Sequence, residues 1–134
     1  MVGHRNERYG RFGWAAARLD DALTWPPARL ASLLTIATAP VVGAAGRAAW
    51  RVLRRDGARH PSPNAGRMEA AFAGALGVRL GGTNRYGDRF EKRPVLGDGC
   101  APDVDSVGRA VRLSQVVGTA AAVLCVLVAW RLGR

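Results

Sequence analysis

The residues able to do chemistry gather in one stretch, His60 to Gly82, HPSPNAGRMEAAFAGALGVRLGG. Ser62 can cap a helix and Pro63 suits the first helical position, where its missing N–H costs nothing. The Gly81-Gly82 pair is a natural stop, so the spacing predicts a helix from Pro63 to Leu80. His60, Ser62, Asn64 and Glu69 lie near its N-terminal end, where the dipole and free N–H groups favour an anion. Glu69 is the sole acid between Asp56 and Asp88 and lies among alanines and glycines. A carboxylate there needs either a partner or a function, and spacing alone leaves both open. His60 by itself fits a structural or solvated histidine as well as a catalyst. Asp20, Asp21 and Asp88 complete the titratable candidates. Asp20 and Asp21, being adjacent, point about 100° apart on a helix, and Arg18 can neighbour Asp21 three residues on. Carboxylates suit Mg²⁺ held against substrate phosphates, and Arg29, Arg67 and Arg85 can grip phosphate or carboxylate bidentately. There is no P-loop, GxSxG, HExxH or CxxC. The residues therefore support an anionic ligand at a membrane surface.

The elements that must position these groups follow from charge and hydropathy. The 134 residues make at most one domain, and the formal net charge is +10. All 20 bases except Lys92 are arginine, and no five are consecutive, so a nucleic-acid arm is not indicated. Cys100 and Cys125 lack partners at metal spacing and read as free thiols. Arg5, Arg8 and Arg11 have no apolar run behind them, which speaks against a cleavable signal peptide. WAAARLDDALTW reads as a short helix ending at Trp25, before Pro26-Pro27.

Residues 28–50 read as a transmembrane helix kinked at Pro40, with Arg29 and Arg47 snorkelling and Ala37, Gly43, Ala44 and Gly46 suited to close packing. Trp50 with Arg51, Arg54 and Arg55 forms an interfacial anchor. Residues 113–131 read as a second transmembrane helix ending at Trp130-Arg131. Between them, 54–112 holds the opening stretch and then a long polar loop, with Asp105 or Ser106 starting the helix that enters the second span. Within 63–80, Met68, Phe72, Ala75, Leu76 and Leu80 share an apolar face, while Ala70, Ala73, Gly74 and Gly77 form a small face for close backbone approach. That helix reads as interfacial or re-entrant. Basic residues number eleven in 54–112 against seven in 1–29 and the tail together, which favours a cytoplasmic middle. The expected fold is an all-α, multi-pass cell-membrane protein of about two transmembrane helices, an interfacial helix and a long polar loop.

HPSPNAGRMEAAFAGALGVRLGG closely resembles the signature of the adenosylcobinamide-phosphate synthases, the CobD/CbiB family of cobalamin biosynthesis. MVGHRNERYGRFGWAAARLDDALTWPPARL is similar to the family's segment of MVG-R---RY--FGW-aARLDD followed by P-ARL, and TNRYG after the glycine pair fits too. The match is ordered from Met1 to about Leu113. Thr24 stands where the family usually has Asn, and Met68 where it often has Pro. The resemblance implies an integral membrane ligase that uses ATP and Mg²⁺ to condense adenosylcobyric acid with aminopropanol or its phosphate. It implies Glu69, Asp20 and Asp21 as catalytic residues, with Asp20 and Asp21 as Mg²⁺ ligands. Arg18, Arg29, Ser62, Asn64 and Gly66 become substrate-binding residues. Partners would be the corrinoid and the membrane, and no nucleic acid. Family members are longer and Met1 matches an internal methionine, so residues 1–134 are expected to be a single C-terminal portion missing an N-terminal half. The alternative is a helix-packing membrane subunit without catalysis.

Overall fold

The computed structural model describes residues 10–87 and 89–134. In chain order the elements are α1 (Gly10–Thr38), a 3₁₀ turn (Ala39–Val42), α2 (Gly46–Asp56), α3 (Ala65–Leu76), β1 (Leu80–Tyr86), β2 (Arg89–Leu96) and α4 (Val104–Leu132). The expected all-α architecture therefore holds for the helices and is corrected by a two-stranded antiparallel sheet. The segment expected as loop is a hairpin. Its register pairs Leu80 with Leu96, Gly82 with Arg93 and Tyr86 with Arg89, with a bulge between Leu80 and Gly82. Gly87, at φ +61°, supplies the left-handed turn that brings the strands back.

α1 runs through Pro26 and Pro27 rather than stopping at Trp25. The prolines cannot donate to the carbonyls of Ala22 and Leu23. Side chains hold the backbone on either side of that gap. The Asp21 carbonyl accepts from Asn64 Nδ2 at 2.8 Å and the Trp25 carbonyl accepts from Arg29 Nη1 at 3.1 Å. Docking on α3 outweighs the local cost of the prolines.

Residues 28–50 are not one helix, which corrects the first of the two expected spans. Pro40 sits at the start of a 3₁₀ turn and Gly43 closes it at φ +68°. The chain then reverses into α2, where the absent side chain of Gly46 admits the Ile36 carbonyl; a Cβ there would lie 2.6 Å from that oxygen. Among the described residues one helix, α4, is long and apolar enough to cross a membrane. Its N-cap is Asp103, two residues earlier than expected; the Oδ1 accepts from Ser106 N at 2.8 Å and from its Oγ at 2.6 Å.

α3 packs on α1, α2 and α4, with Gly66, Ala70, Ala71, Ala73, Gly74, Ala75 and Leu76 buried. It ends at Leu76, four residues short of Leu80, because Gly77 adopts φ +67° and caps it with an N–H to the Ala73 carbonyl. The small face does what its composition suggests at Gly74. There a Cβ would lie 2.6 Å from Ala48 O and 2.8 Å from Ala49 Cα, so the α2 and α3 backbones touch. The core around this contact joins Ala39, Ala44, Ala49, Ala73, Ala75, Leu76, Leu113 and Val117, with Leu34 and Phe72 packed against it.

α1 is inverted relative to a soluble helix. Ser32 and Thr35 are buried, at 1% and 0% exposure, while Leu19, Leu23, Leu30 and Leu33 face outward. The buried hydroxyls are satisfied inside their own helix, Ser32 Oγ on Ala28 O at 2.7 Å and Thr35 Oγ1 on Ala31 O at 2.8 Å. Small and hydroxyl residues inside with leucines outside is the pattern of helices that pack in an apolar surround.

Candidate functional site

The loop from Gly57 to Asn64 carries the candidate residues between α2 and α3. Ser62 Oγ accepts from the N–H groups of Asn64 and Ala65 at 3.4 and 3.3 Å, but α3 starts at Ala65, two residues later than the expected Pro63, and its N-cap is Asn64 rather than Ser62. Gly66 is buried under His60, and a Cβ at Gly66 would collide with the His60 Cβ. The geometry thus uses Gly66 to seat the histidine.

Asn64 joins the two halves of the motif. Its Nδ2 donates to the Asp21 carbonyl and, at 2.7 Å, to Thr24 Oγ1; its Oδ1 accepts from Arg29 Nη1 at 3.2 Å. With the amide 6% exposed and three partners satisfied, Asn64 fixes α1 against α3 and positions Arg29. Arg29 also stacks over Trp25, 3.8 Å from the ring centroid. Partial burial, and then the like charge of Arg67, hold the Arg29 guanidinium below its ordinary pKa. An anion between Arg29 and Arg67 would relieve both.

That space exists. A cleft of about 440 Å³ is lined by Arg18, Asp21, Arg29, Arg67, His60 and the prolines Pro61 and Pro63. Three guanidiniums, one carboxylate and one imidazole converge there. Asp20, by contrast, is exposed and outside this lining. Asp20 and Asp21 are therefore not presented together, as expected for neighbours on a helix. Among the described residues no group of three His, Cys, Asp or Glu side chains is placed to hold a metal. The donor set fits Mg²⁺ in one way, with Asp21 as a single carboxylate completed by substrate phosphates, which is a common habit of this ion.

Glu69 does not line the same cleft. It opens into a neighbouring pocket of about 170 Å³ with His60, Gly81, Asn84, Arg93 and Pro94. His60 is the shared wall. Its Nε2 lies 3.1 Å from Arg93 Nη1 and 4.0 Å from Glu69 Oε2. Its Nδ1 lies 3.1 Å from Ser62 N and 3.4 Å from Ser62 O. The Ser62 N–H donates to Nδ1, and the Arg93 guanidinium faces Nε2, so the ring is held from both sides. Asn84 belongs to the TNRYG run but was not singled out as a site residue, and Arg93 lies in no motif; the strand register, with Arg93 opposite Gly82 and Asn84 opposite Glu91, brings both in. Of the other candidates, Arg85 stands on the hairpin with Nε donating to Gly87 O at 2.8 Å, and Asp88 lies outside the described residues, as do residues 1–9 of the N-terminal motif.

Sequence reasoning also passed over Asp56. This carboxylate is fully buried, at 0% exposure. It takes Arg55 Nε at 2.8 Å and Nη2 at 2.6 Å, Arg59 Nη1 at 3.1 Å and the Gly97 N–H at 3.0 Å. Arg55 extends to Asp98 at 2.8 Å. The cluster pins the end of α2 to the end of the hairpin, which holds β2 and Arg93 beside His60. Its signal, an Arg-Arg-Asp run ending a helix, is indistinguishable in sequence from a solvated charged end.

The structure thus combines a small-residue helical core, one helix long and apolar enough to cross a membrane, and a cleft rich in arginine. The comparisons make this specific: the chain belongs to the CobD/CbiB family, whose profile, described as CobD/Cbib protein, matches residues 1–114. The chain is 57% identical over 131 residues to a protein of Mycobacterium tuberculosis named cobalamin biosynthesis protein CobD, covering 98% of this chain and 42% of that protein. A protein of the same name from Geobacter metallireducens is 55% identical over 102 residues, 76% of this chain and 32% of its own length. The Chromobacterium violaceum one is 50% identical over 113 residues, 84% and 35% respectively. The chain thus spans less than half the length of these relatives. No solved structure matches.

Proposed function

We propose that this chain supplies the anion-binding part of an adenosylcobinamide-phosphate synthase, an ATP-dependent ligase joining adenosylcobyric acid to aminopropanol or its phosphate. The observation that carries the reading is the cleft in which Arg18, Arg29 and Arg67 converge on Asp21 and His60. Amide formation from a carboxylate needs the carboxylate oxygen converted to a leaving group. Transfer of the γ-phosphoryl group of ATP to the corrinoid carboxylate gives an acyl phosphate and ADP. The amine then attacks the carbonyl carbon, the C–O bond to phosphate breaks, and the amine gives up a proton. Three guanidiniums stabilise the phosphate and carboxylate charges through both steps. Mg²⁺, bound with the nucleotide, would add charge neutralisation beside Asp21. In this reading α4 crosses the cell membrane and the polar middle faces the cytoplasm, where ATP is found.

The test supplies this chain together with the part of the Mycobacterium tuberculosis relative that it does not cover. With adenosylcobyric acid, amine, ATP and Mg²⁺, the pair should form adenosylcobinamide or its phosphate with stoichiometric ADP. Arg67→Gln, which removes one charge-assisted contact, should lower kcat/KM by about thirtyfold or more. Absence of product with the folded pair would leave the second reading, a helix-packing membrane subunit without catalysis.

A further inference from the structure

α2 turns one face to the core and the other outward, and the two faces differ in kind. Ala49, Val52, Leu53 and Asp56 are buried. At about 100° per residue, Arg47, Arg51 and Arg54 fall within an arc of about 60° on the opposite side, and all three are exposed. Trp50 flanks them at 45% exposure, with the Arg54 guanidinium 5.8 Å from its ring centroid. No acid answers these charges. The one carboxylate on α2, Asp56, is wholly buried and taken by Arg55 and Arg59. Among the described residues no ion pair involves Arg47, Arg51 or Arg54. We propose that this face is a docking surface for anionic phospholipid headgroups.

The position of α2 decides the partner. Ala44, just before the helix, and Ala49 within it share one core cluster with Leu113 and Val117 of α4. Leu113 opens the uncharged run of α4 that ends at Trp130. α2 therefore begins beside the start of the segment that a membrane would take up. At 1.5 Å per residue, Arg47 to Arg54 span about 10 Å, comparable with the screening length of about 8–10 Å over which a charged surface acts. All three guanidiniums thus lie within its reach. Each is planar and takes a phosphodiester through paired N–H groups, and an indole such as Trp50 suits the headgroup level. Arg55, next to Arg54 in the chain, is excluded from the face because Asp56 and Asp98 hold it. A nucleic acid or an acidic protein would meet the same charges, but would have to reach them on a face that α4 sets against the membrane surface. The inference goes beyond the ligase reading and shares with it only the insertion of α4.

The test places the full chain in nanodiscs of mixed phosphatidylcholine and phosphatidylglycerol. One lipid or the other is supplied, at equal mole fraction, with acyl chains brominated near the glycerol. Tryptophan quenching is read in the chain and in Trp50→Phe, and the difference is the Trp50 signal. Trp50 should be quenched more by brominated phosphatidylglycerol, reporting a preference over phosphatidylcholine of about fivefold for each arginine engaged. The combined variant Arg47→Gln, Arg51→Gln, Arg54→Gln should abolish the excess. High salt should abolish it in the unaltered chain, which requires no variant to fold. Trp130→Phe isolates the Trp130 signal in the same way, and its quenching by brominated phosphatidylcholine reports the insertion of α4. Trp130 quenched while Trp50 shows no preference overturns the proposal and leaves the ligase reading standing. Trp130 quenched by neither lipid overturns the insertion of α4 and the proposal together. An excess that survives in the triple variant also overturns it, and loss of that excess in Arg112→Gln would place the lipid on the flank of α4. Arginine-dependent binding of polyglutamate or a single-stranded oligonucleotide, with no phosphatidylglycerol excess, would assign the face to an acidic protein or a nucleic acid instead.

Discussion

Asn64 shows how much of a motif's chemistry can be spent on placing its neighbours. A buried primary amide with three partners on α1 cannot be replaced without leaving Arg29, the Asp21 carbonyl and the Thr24 hydroxyl short of a contact. Asn64→Ala should cost about 2–3 kcal/mol of unfolding free energy, at roughly 1 kcal/mol for each net hydrogen bond, and should loosen Arg29 from Trp25. Tryptophan fluorescence during denaturant unfolding in detergent reads both effects; a loss below about 0.5 kcal/mol would return Asn64 to the role of a ligand side chain. Asp56 gives a pH prediction. The Arg55 hydrogen bond holds its carboxyl below the ordinary carboxylate range, against a smaller opposing effect of burial. A depressed pKa stabilises the folded state above the unfolded pKa near 4, and that stabilisation fades as pH falls through the lower folded value. Stability should therefore be level from pH 7 to about 4.5 and fall below that. Asp56→Asn should be less stable at neutral pH and show a shallower acid limb; identical acid limbs in the two proteins would contradict the assignment.

Helix packing is set by glycines at α2, α3 and the loop between them. Gly74→Ala forces a methyl group within 2.6–2.9 Å of Ala48 O, Ala49 Cα and Val52 Cβ, so α2 must shift. The overpacking should cost about 1–3 kcal/mol, read as a lowered unfolding midpoint. Gly66→Ala acts on the site instead, since the added methyl displaces His60 while removing no functional group; on the ligase reading, amide formation by the protein pair should fall with the helix content unchanged, and undiminished turnover would show that His60 placement is immaterial. These two positions also show what the sequence could disclose. The small face of α3 was legible because Gly and Ala at helical spacing have few other uses. The stop at Gly77 was not, because a glycine inside a small-residue run reads equally as packing surface or as a left-handed cap, and only the chain path decides. The hairpin was missed for a related reason: LGGTNRY and RFEKRPVL are polar, with glycines and Pro94 where a strand wants β-branched residues. The Gly87-Asp88 pair between them was the available signal. Without the hairpin, Asn84 and Arg93 had no route to Glu69, so half of the smaller pocket was invisible.

At the scale of the molecule, the folded body and the last half of α4 obey different rules. The body is closed by contacts among α1, α2, α3 and the start of α4, where Leu113 and Val117 are the buried residues. Beyond them Val123, Leu124, Val126, Leu127, Val128 and Trp130 are all exposed. Hydropathy placed this apolar run correctly, since an uncharged stretch needs no tertiary context to be seen. It misplaced the run at 28–50 because Pro40 and Gly43, read as tolerated kinks, terminate the helix when a partner such as α2 can fold back on it. Apolar side chains on all sides of a helix require an apolar surround on all sides, and the leucines along α1 face outward in the same manner. A lipid phase meets the requirement for α4 in full, whereas a single docked helix would cover one face. The consequence is a mutational asymmetry. Leu124→Arg and Leu127→Arg, near the middle of the apolar run, should each oppose insertion by about 2.5–3.5 kcal/mol. Together they should move the chain from the carbonate-resistant membrane fraction to the extractable one. Leu113→Ala, inside the body, should lower the unfolding midpoint by the 2–5 kcal/mol of a buried leucine and leave the chain in the membrane fraction. If the double arginine variant stays carbonate-resistant, the exposed half of α4 is covered by protein, and the candidate for that cover is the part of the longer relatives that these residues do not align with.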